Sequence, residues 1–128
     1  MITLENVLVA TDFSEPSDVA LIYGRELASR FGSTLHVLHV ASNVFMSGFG
    51  AENYAAIAPD LQHQVEDDAR RRLDELVVDS DKSGPPTVTS ILTSASPALA
   101  IVDYARNHHV GLIVMGTHGP AFLLPAWS

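Results

Sequence analysis

The chain has 128 residues, of which 47% are apolar and 17% charged, and fifteen acidic against seven basic residues give it a formal net charge of −8. That length suits a single domain over residues 1–128 with a sizeable core; the apolar content excludes a disordered polymer, and the negative charge disfavours nucleic acid and anionic membrane surfaces as partners. There is no cysteine, hence no disulfide and no thiolate metal site. The start, Met1 to Asn6, lacks a basic segment followed by an apolar run, and no apolar run approaches the roughly 20 residues of a membrane span, so a soluble, cytoplasmic protein is expected.

Taken in chain order, Val7-Leu8-Val9-Ala10 is a continuous apolar run, the mark of a strand buried on both faces. Ser14 is placed to cap a helix with Glu15 and Pro16 in its first turn. Val19, Ile22, Tyr23, Leu27 and Phe31 follow at near-helical spacing as its expected apolar face, and Gly32 marks its end. Residues 35–41 form a second buried strand. Residues 42–58 follow neither period, contain two glycines and are expected to be a long loop. Leu61, Val65, Ala69, Leu73 and Leu76 mark a second helix. On it Glu66, Asp67 and Asp68 each precede an arginine (Arg70, Arg71 and Arg72) by four residues, a pattern of a solvated, mutually paired face.

Ser83-Gly84-Pro85-Pro86 is a turn, and the threonine-rich segment 87–93 suits an edge strand. Ser96-Pro97 starts a third helix, with Ala98, Ile101, Val102 and Ala105 on its apolar side. Leu112-Ile113-Val114-Met115 is a fourth buried strand. Alternation of strand and helix implies a parallel sheet with right-handed crossovers and helices on both faces. In such sheets a ligand crevice opens at the carboxyl ends of the strands, where the strand order reverses. Two strand ends stand out: Thr11-Asp12 after the first strand, and Gly116-Thr117-His118-Gly119 after the fourth.

A carboxylate at such a strand end can accept hydrogen bonds from ribose hydroxyls or an adenine amino group; it can equally serve as a turn residue bonding nearby amides. Gly116 and Gly119 would let backbone amides approach a phosphate, with Thr117 and His118 as further donors, although a lone Gly-x-x-Gly also makes ordinary turns. His36 and His39, three apart on a strand, leave opposite faces and cannot share one ion. His108-His109 fits a helix end, where a cation is favoured. No metal site, nucleophilic triad or complete P-loop with its lysine is present in the pattern.

The segments "NVLVATDFSEPSDVALIYGRELASRFGSTLHVLHV" and "SPALAIVDYARNHHVGLIVMGTHG" together resemble the universal stress protein family, over about Asn6 to Gly119. The resemblance implies a flavodoxin-like (Rossmann-like) three-layer α/β sandwich with strand order 3-2-1-4-5. It implies binding of an adenine nucleotide, ATP or AMP, with Mg²⁺ only where ATP is bound. The matching contacts are Ala10, Thr11 and Asp12 at the first strand end, Val40 on the second strand, and Met115, Gly116, Thr117, His118 and Gly119 at the fourth. The family's phosphate loop reads Gly-x2-Gly-x9-Gly-(Ser/Thr). Nine residues after Gly119 reach Ser128, so the second Gly-(Ser/Thr) has no counterpart in this sequence, and the family's fifth strand is expected to be missing.

Three readings stand side by side. The leading one is a stress-response regulator that binds an adenine nucleotide weakly, chiefly through its adenosine half. The alternative is a nucleotide-independent interaction module acting through dimerisation. A slow ATPase is the third, and it needs a water-activating group that the sequence does not identify. The tail, with Phe122, Leu123, Leu124 and Trp127 interrupted by Pro120 and Pro125, is expected to be irregular or briefly helical. It would cover the fourth strand or the crevice, or join two copies in a homodimer.

Overall fold

A computed structural model of the chain describes residues 3–42, 51–78, 84–116 and 122–125. Strand β1 (Asn6–Ala10) leads to helix α1 (Glu15–Phe31), strand β2 (Thr34–Ser42), helix α2 (Ala51–Val78), strand β3 (Thr87–Ser94), helix α3 (Pro97–Asn107) and strand β4 (Leu112–Met115); a short strand β5 (Phe122–Pro125) follows. The sheet order is β3-β2-β1-β4-β5, with β1 to β4 parallel. This is the expected doubly wound α/β architecture, with β3 at one edge.

The fifth strand corrects the expectation from sequence. The tail is not irregular or helical over 122–125: it pairs antiparallel with β4, Met115 opposite Phe122 and Leu112 opposite Pro125. Antiparallel addition needs no crossover helix. A proline is tolerated there because β5 is an edge strand, so its missing N–H interrupts no inner ladder.

The strands form where continuous apolar runs are buried from both sides. Val7 and Val9 pack with Leu35, Val37 and Val114 under α1 and α2, through Ala20, Leu21, Ala28 and Leu73. Leu8, Leu38 and Ile113 point the other way, under Ile101, Tyr104 and Ala105 of α3. Burying each such Leu or Val contributes about 1.5–3 kcal/mol, so these two layers dominate the stability and fix the register.

Two helix faces and the start of a third helix differ from expectation. On α1 the buried residues are Ser17, Ala20, Leu21, Gly24 and Ala28, while Val19, Ile22, Tyr23 and Phe31 are exposed. The helix lies so close to β1 that a β-carbon on Gly24 would stand 2.2 Å from Val9 Cγ2; apart from Leu21 its buried face is made of small residues, and Val19, Ile22, Tyr23 and Phe31 lie outward. On α3 Ala98 is exposed and Val102 only half-buried, whereas Tyr104 is buried beside Ile101 and Ala105. Helix α2 begins at Ala51 and runs through Pro59, so 51–58 is helical and not loop; residues 43–50 of that expected loop lie outside the described residues.

The charge run on α2 is also only partly solvated. Arg72 pairs with Asp68 at 3.1 Å, and Arg71 bonds Asp68 as well. Glu66 instead accepts from Thr93 Oγ1 at 2.5 Å and Arg70 donates to Thr89 Oγ1 at 3.4 Å. Those two side chains face the edge strand β3, whose threonine hydroxyls compete for them.

Candidate functional site at the ends of strands 1 and 4

The pairing register sets Ala10 beside Leu38 on one side and Met115 on the other, so the first and fourth strands end together at the switch point. Immediately after Ala10 the chain turns. Thr11 N–H donates to the Leu38 carbonyl at 2.9 Å, which ties the turn to β2. Thr11 Oγ1 accepts from Phe13 N–H at 3.0 Å, and Asp12 Oδ1 accepts from Ser14 N–H at 3.0 Å. These local side-chain-to-backbone bonds satisfy amides that no strand or helix reaches.

Between them Phe13 adopts φ 65°, the left-handed region that a residue with a β-carbon rarely enters. Its ring lies on that of His39, centroids 4.4 Å apart, and the Arg72 guanidinium stands 5.6 Å from its centre. His39 Nδ1 donates to the Thr11 carbonyl at 2.8 Å. The turn is thus held from the α1/α2 face while Asp12 projects from the other side of it.

Ser17 is a polar residue of the site that sequence reasoning missed. It is 3% exposed. Its Oγ donates to Asp12 Oδ1 at 2.6 Å and accepts from Asp12 N–H at 3.2 Å and from Ser14 Oγ at 3.2 Å. Ser14 in turn caps α1, accepting from Ser17 N–H at 3.4 Å as the sequence suggests. The signal lay in the S-x-x-S spacing, where a second serine takes the place a capping box gives to Glu or Gln. Hydrogen bonds from Ser14 and Ser17 hold the Asp12 carboxyl below its ordinary value of 3.8, so it is ionised at neutral pH.

At the end of β4, Gly116 meets the start of α1. A β-carbon there would stand 2.2 Å from the Pro16 carbonyl oxygen and 2.6 Å from Ser17 N. Between these parts and the N-terminal end of α3 opens a crevice of about 270 Å³, lined by Ala10, Thr11, Asp12, Ser17, Leu38, Val40, Pro97, Ile101, Met115 and Gly116. Six of the nine candidate residues, Ala10, Thr11, Asp12, Val40, Met115 and Gly116, meet there. Thr117, His118 and Gly119 lie outside the described residues. Sequence reasoning did not single out Leu38, Pro97 or Ile101 for the site, since each reads as an ordinary core or helix-start residue. A shallower hollow of about 420 Å³ lies over Phe13, Asp18, Arg72, Glu75 and Leu76 on the other face; Arg72 there is already paired with Asp68.

The histidines separate as expected: His36 faces α3 through Tyr104, and His39 faces Phe13. Helix α3 ends at Asn107, with His108 as its cap and His109 at φ 54°. Ser96 stands at the start of α3 but makes no capping bond with its side chain; Ser94 Oγ accepts the Ser96 N–H at 3.0 Å instead. Among the described residues no group of three His, Asp or Glu is placed to hold a metal ion, and no helix is long and apolar enough to cross a membrane.

With this geometry in place, the comparisons with known proteins agree on a family. Residues 3–126 match the universal stress protein family. Universal stress protein A homolog 1 of Coxiella burnetii is 27% identical over 117 residues, 90% of this chain and 77% of that protein. The crystal structure of a universal stress protein family member from Burkholderia pseudomallei superimposes with a TM-score of 0.77 at 26% identity, over 90% of this chain and 83% of that one. The structure of a universal stress protein in complex with cAMP shares the fold, with a TM-score of 0.59 at 17% identity over 88% and 72% of the two chains.

Proposed function

This chain belongs to the universal stress protein family, and from that premise we propose that it is a stress-response regulatory protein whose crevice takes an adenine nucleotide, chiefly through the adenosine half. The observation that carries the proposal is the composition of the crevice: an apolar bed of Ala10, Leu38, Val40, Ile101 and Met115 with one ionised carboxylate, Asp12, at its rim. A flat heteroaromatic base suits the bed, and the two hydroxyls of a ribose suit the carboxylate. Among the described lining residues there is no Lys or Arg to neutralise a polyphosphate. The volume of about 270 Å³ is just below the range of roughly 300–1,000 Å³ usual for small-molecule sites, in keeping with a nucleoside-sized ligand. The relative solved with cAMP supports an adenine ligand by analogy; Mg²⁺ enters this reading only with ATP.

The same proposal has the protein working in the cytoplasm as a homodimer, for which the edge strand β5 offers a strand-pairing surface. A second reading, a nucleotide-independent interaction module, is favoured by one observation. Ile22 and Tyr23 on α1 are 64% and 56% exposed beside Val19, an apolar stripe left largely uncovered among the described residues.

Calorimetry with adenosine, AMP and ATP tests the choice. Binding is expected for all three, with ATP only a few-fold tighter than AMP. Asp12→Ala should weaken it about 10- to 150-fold, the equivalent of roughly 1.5–3 kcal/mol for hydrogen bonds to a charged group. No binding at millimolar ligand, or full affinity in Asp12→Ala, would leave the interaction module as the better reading.

A further inference from the structure

The C-terminal half of α3 is fastened to the sheet by polar side chains. His36 on β2 is 6% exposed, and both of its ring nitrogens are engaged: Nε2 lies 2.9 Å from Asn6 Oδ1, and Nδ1 lies 2.8 Å from the Tyr104 hydroxyl. Asn6 Nδ2 donates to the His109 carbonyl at 3.3 Å, which turns Oδ1 toward the ring as an acceptor. The ring proton therefore sits on Nε2, and the bare Nδ1 accepts from Tyr104. With its hydrogen directed at His36, the Tyr104 oxygen accepts from Ser90 Oγ at 3.3 Å. The result is a one-way chain of donors from Ser90 through Tyr104, His36 and Asn6 to the His109 carbonyl, linking β3, α3, β2, β1 and the segment that follows α3.

A second imidazole stands beside it. The His108 ring stacks on Tyr104 with centroids 3.8 Å apart, lies 5.7 Å from the His36 ring, and donates through Nδ1 to the Tyr104 carbonyl at 2.9 Å.

We propose that this cluster is a proton-operated latch on α3: a second proton on His36 reverses the donor chain, strands a cation in the core, and loosens the helix along its length, including the end that walls the crevice.

The chemistry leaves the protonated ring little to rest on. Once Nδ1 also carries hydrogen, Tyr104 can no longer donate to it; its hydroxyl must swing toward Ser90, which must cease donating. The groups facing the ring are Tyr104 and His108 from α3, Asn6 and the register partner Leu8 from β1, and the register partner Val88 from β3. Among the described residues no carboxylate faces it, and the neighbouring imidazole, His108, carries the same sign when charged. A buried charge without a counter-ion is strongly unfavourable. Burial, and secondarily the charge of His108, hold His36 below the ordinary imidazole value of 6.5. The sign follows: the unfolded or undocked state takes the proton more readily, so the latch is intact above about pH 6.5 and is lost as pH falls through the folded value.

Transmission to the crevice is short. Helix α3 has 11 residues; Tyr104 is one turn from Ile101, and Ile101 and Pro97 line the crevice. A rod of three turns whose fastening fails at one end tilts at the other.

Backbone hydrogen exchange across α3, corrected for intrinsic rates, with imidazole resonances followed in the same samples from pH 8 to 5, tests this without any nucleotide, so its failure and that of the nucleotide proposal are distinguishable. Protection is expected to fall at least tenfold as His36 titrates, from the Ala100 amide (bonded to the Ser96 carbonyl) to the His108 amide (bonded to the Tyr104 carbonyl), while α1 changes little. His36→Gln should abolish the pH dependence. His108→Gln, a change at an exposed position, should shift both the His36 midpoint and the loss of protection to higher pH; this variant decides the matter if His36→Gln does not fold. Protection unchanged across the His36 titration, a loss confined to the Tyr104–His108 end, a loss persisting in His36→Gln, or a midpoint unmoved in His108→Gln would each overturn the latch.

Discussion

Ser17 Oγ stands 2.6 Å from Asp12 Oδ1 while the same oxygen accepts the Asp12 backbone N–H at 3.2 Å. One buried hydroxyl thus fixes both the head and the root of the acid on which the proposed site depends. Ser17→Ala leaves these groups short of a partner and should destabilise the fold by about 1–3 kcal/mol in urea unfolding. It should also raise the Asp12 pKa, seen by carboxyl-carbon NMR. Because that pKa is depressed in the folded protein, its contribution to stability is present above 3.8 and lost as pH falls through the folded value. The acid limb of the stability curve should therefore be shallower in the variant, with less stability lost on acidification; an unchanged limb would mean that Ser17 serves the helix cap alone.

Gly116→Ala places a β-carbon against backbone atoms of Pro16 and Ser17, and no side chain there can yield. Either the end of β4 or the start of α1 must move. Overpacking of this kind costs about 1–3 kcal/mol, a fall in Tm of roughly 5–15 °C, and it narrows the mouth of the crevice. A variant that melts like the parent and binds AMP equally well would show that the close approach has no consequence.

Phe13 offers a test in which the smaller residue should win. Both Phe13→Ala and Phe13→Gly remove the ring from His39 and Arg72, but only glycine relieves the left-handed backbone at φ 65°. The glycine variant should be more stable than the alanine variant by about 1 kcal/mol. The reverse order in paired urea melts would mean that the turn relaxes out of this conformation once the ring is gone.

Deleting Phe122–Pro125 removes the strand that pairs with β4 and opens the edge next to the crevice. Light scattering should then report larger particles or lower solubility, as an exposed apolar edge invites pairing. Unchanged mass and melting temperature would mark β5 as dispensable.

What the sequence revealed and what it concealed have physical causes. The core strands were legible because a strand covered on both faces reads as an uninterrupted apolar run, as at Val7–Ala10 and Leu112–Met115. Asp12 and Gly116 were legible because a doubly wound sheet puts strand ends 1 and 4 side by side. The buried face of α1 was not, since Ala20, Gly24 and Ala28 carry little hydrophobic weight beside Ile22 and Tyr23, and close approach to β1, not hydrophobicity, decides the face. Ser17 was hidden because a serine in a first helical turn looks like capping chemistry. Two prolines masked β5, and Pro59 with two nearby glycines masked the first turns of α2, because breakers are read locally while tertiary pairing is not.

The pairing of Val7 with Leu112 joins positions more than a hundred residues apart. Strand β1 therefore waits for nearly the whole chain before its second ladder closes, a long-range closure of the kind that slows folding. The crevice lies across that seam. It cannot exist in a half-made or half-unfolded molecule, so a ligand held there would register completed folding, and its release under heat or acid would be among the first signs that the seam between β1 and β4 has begun to part.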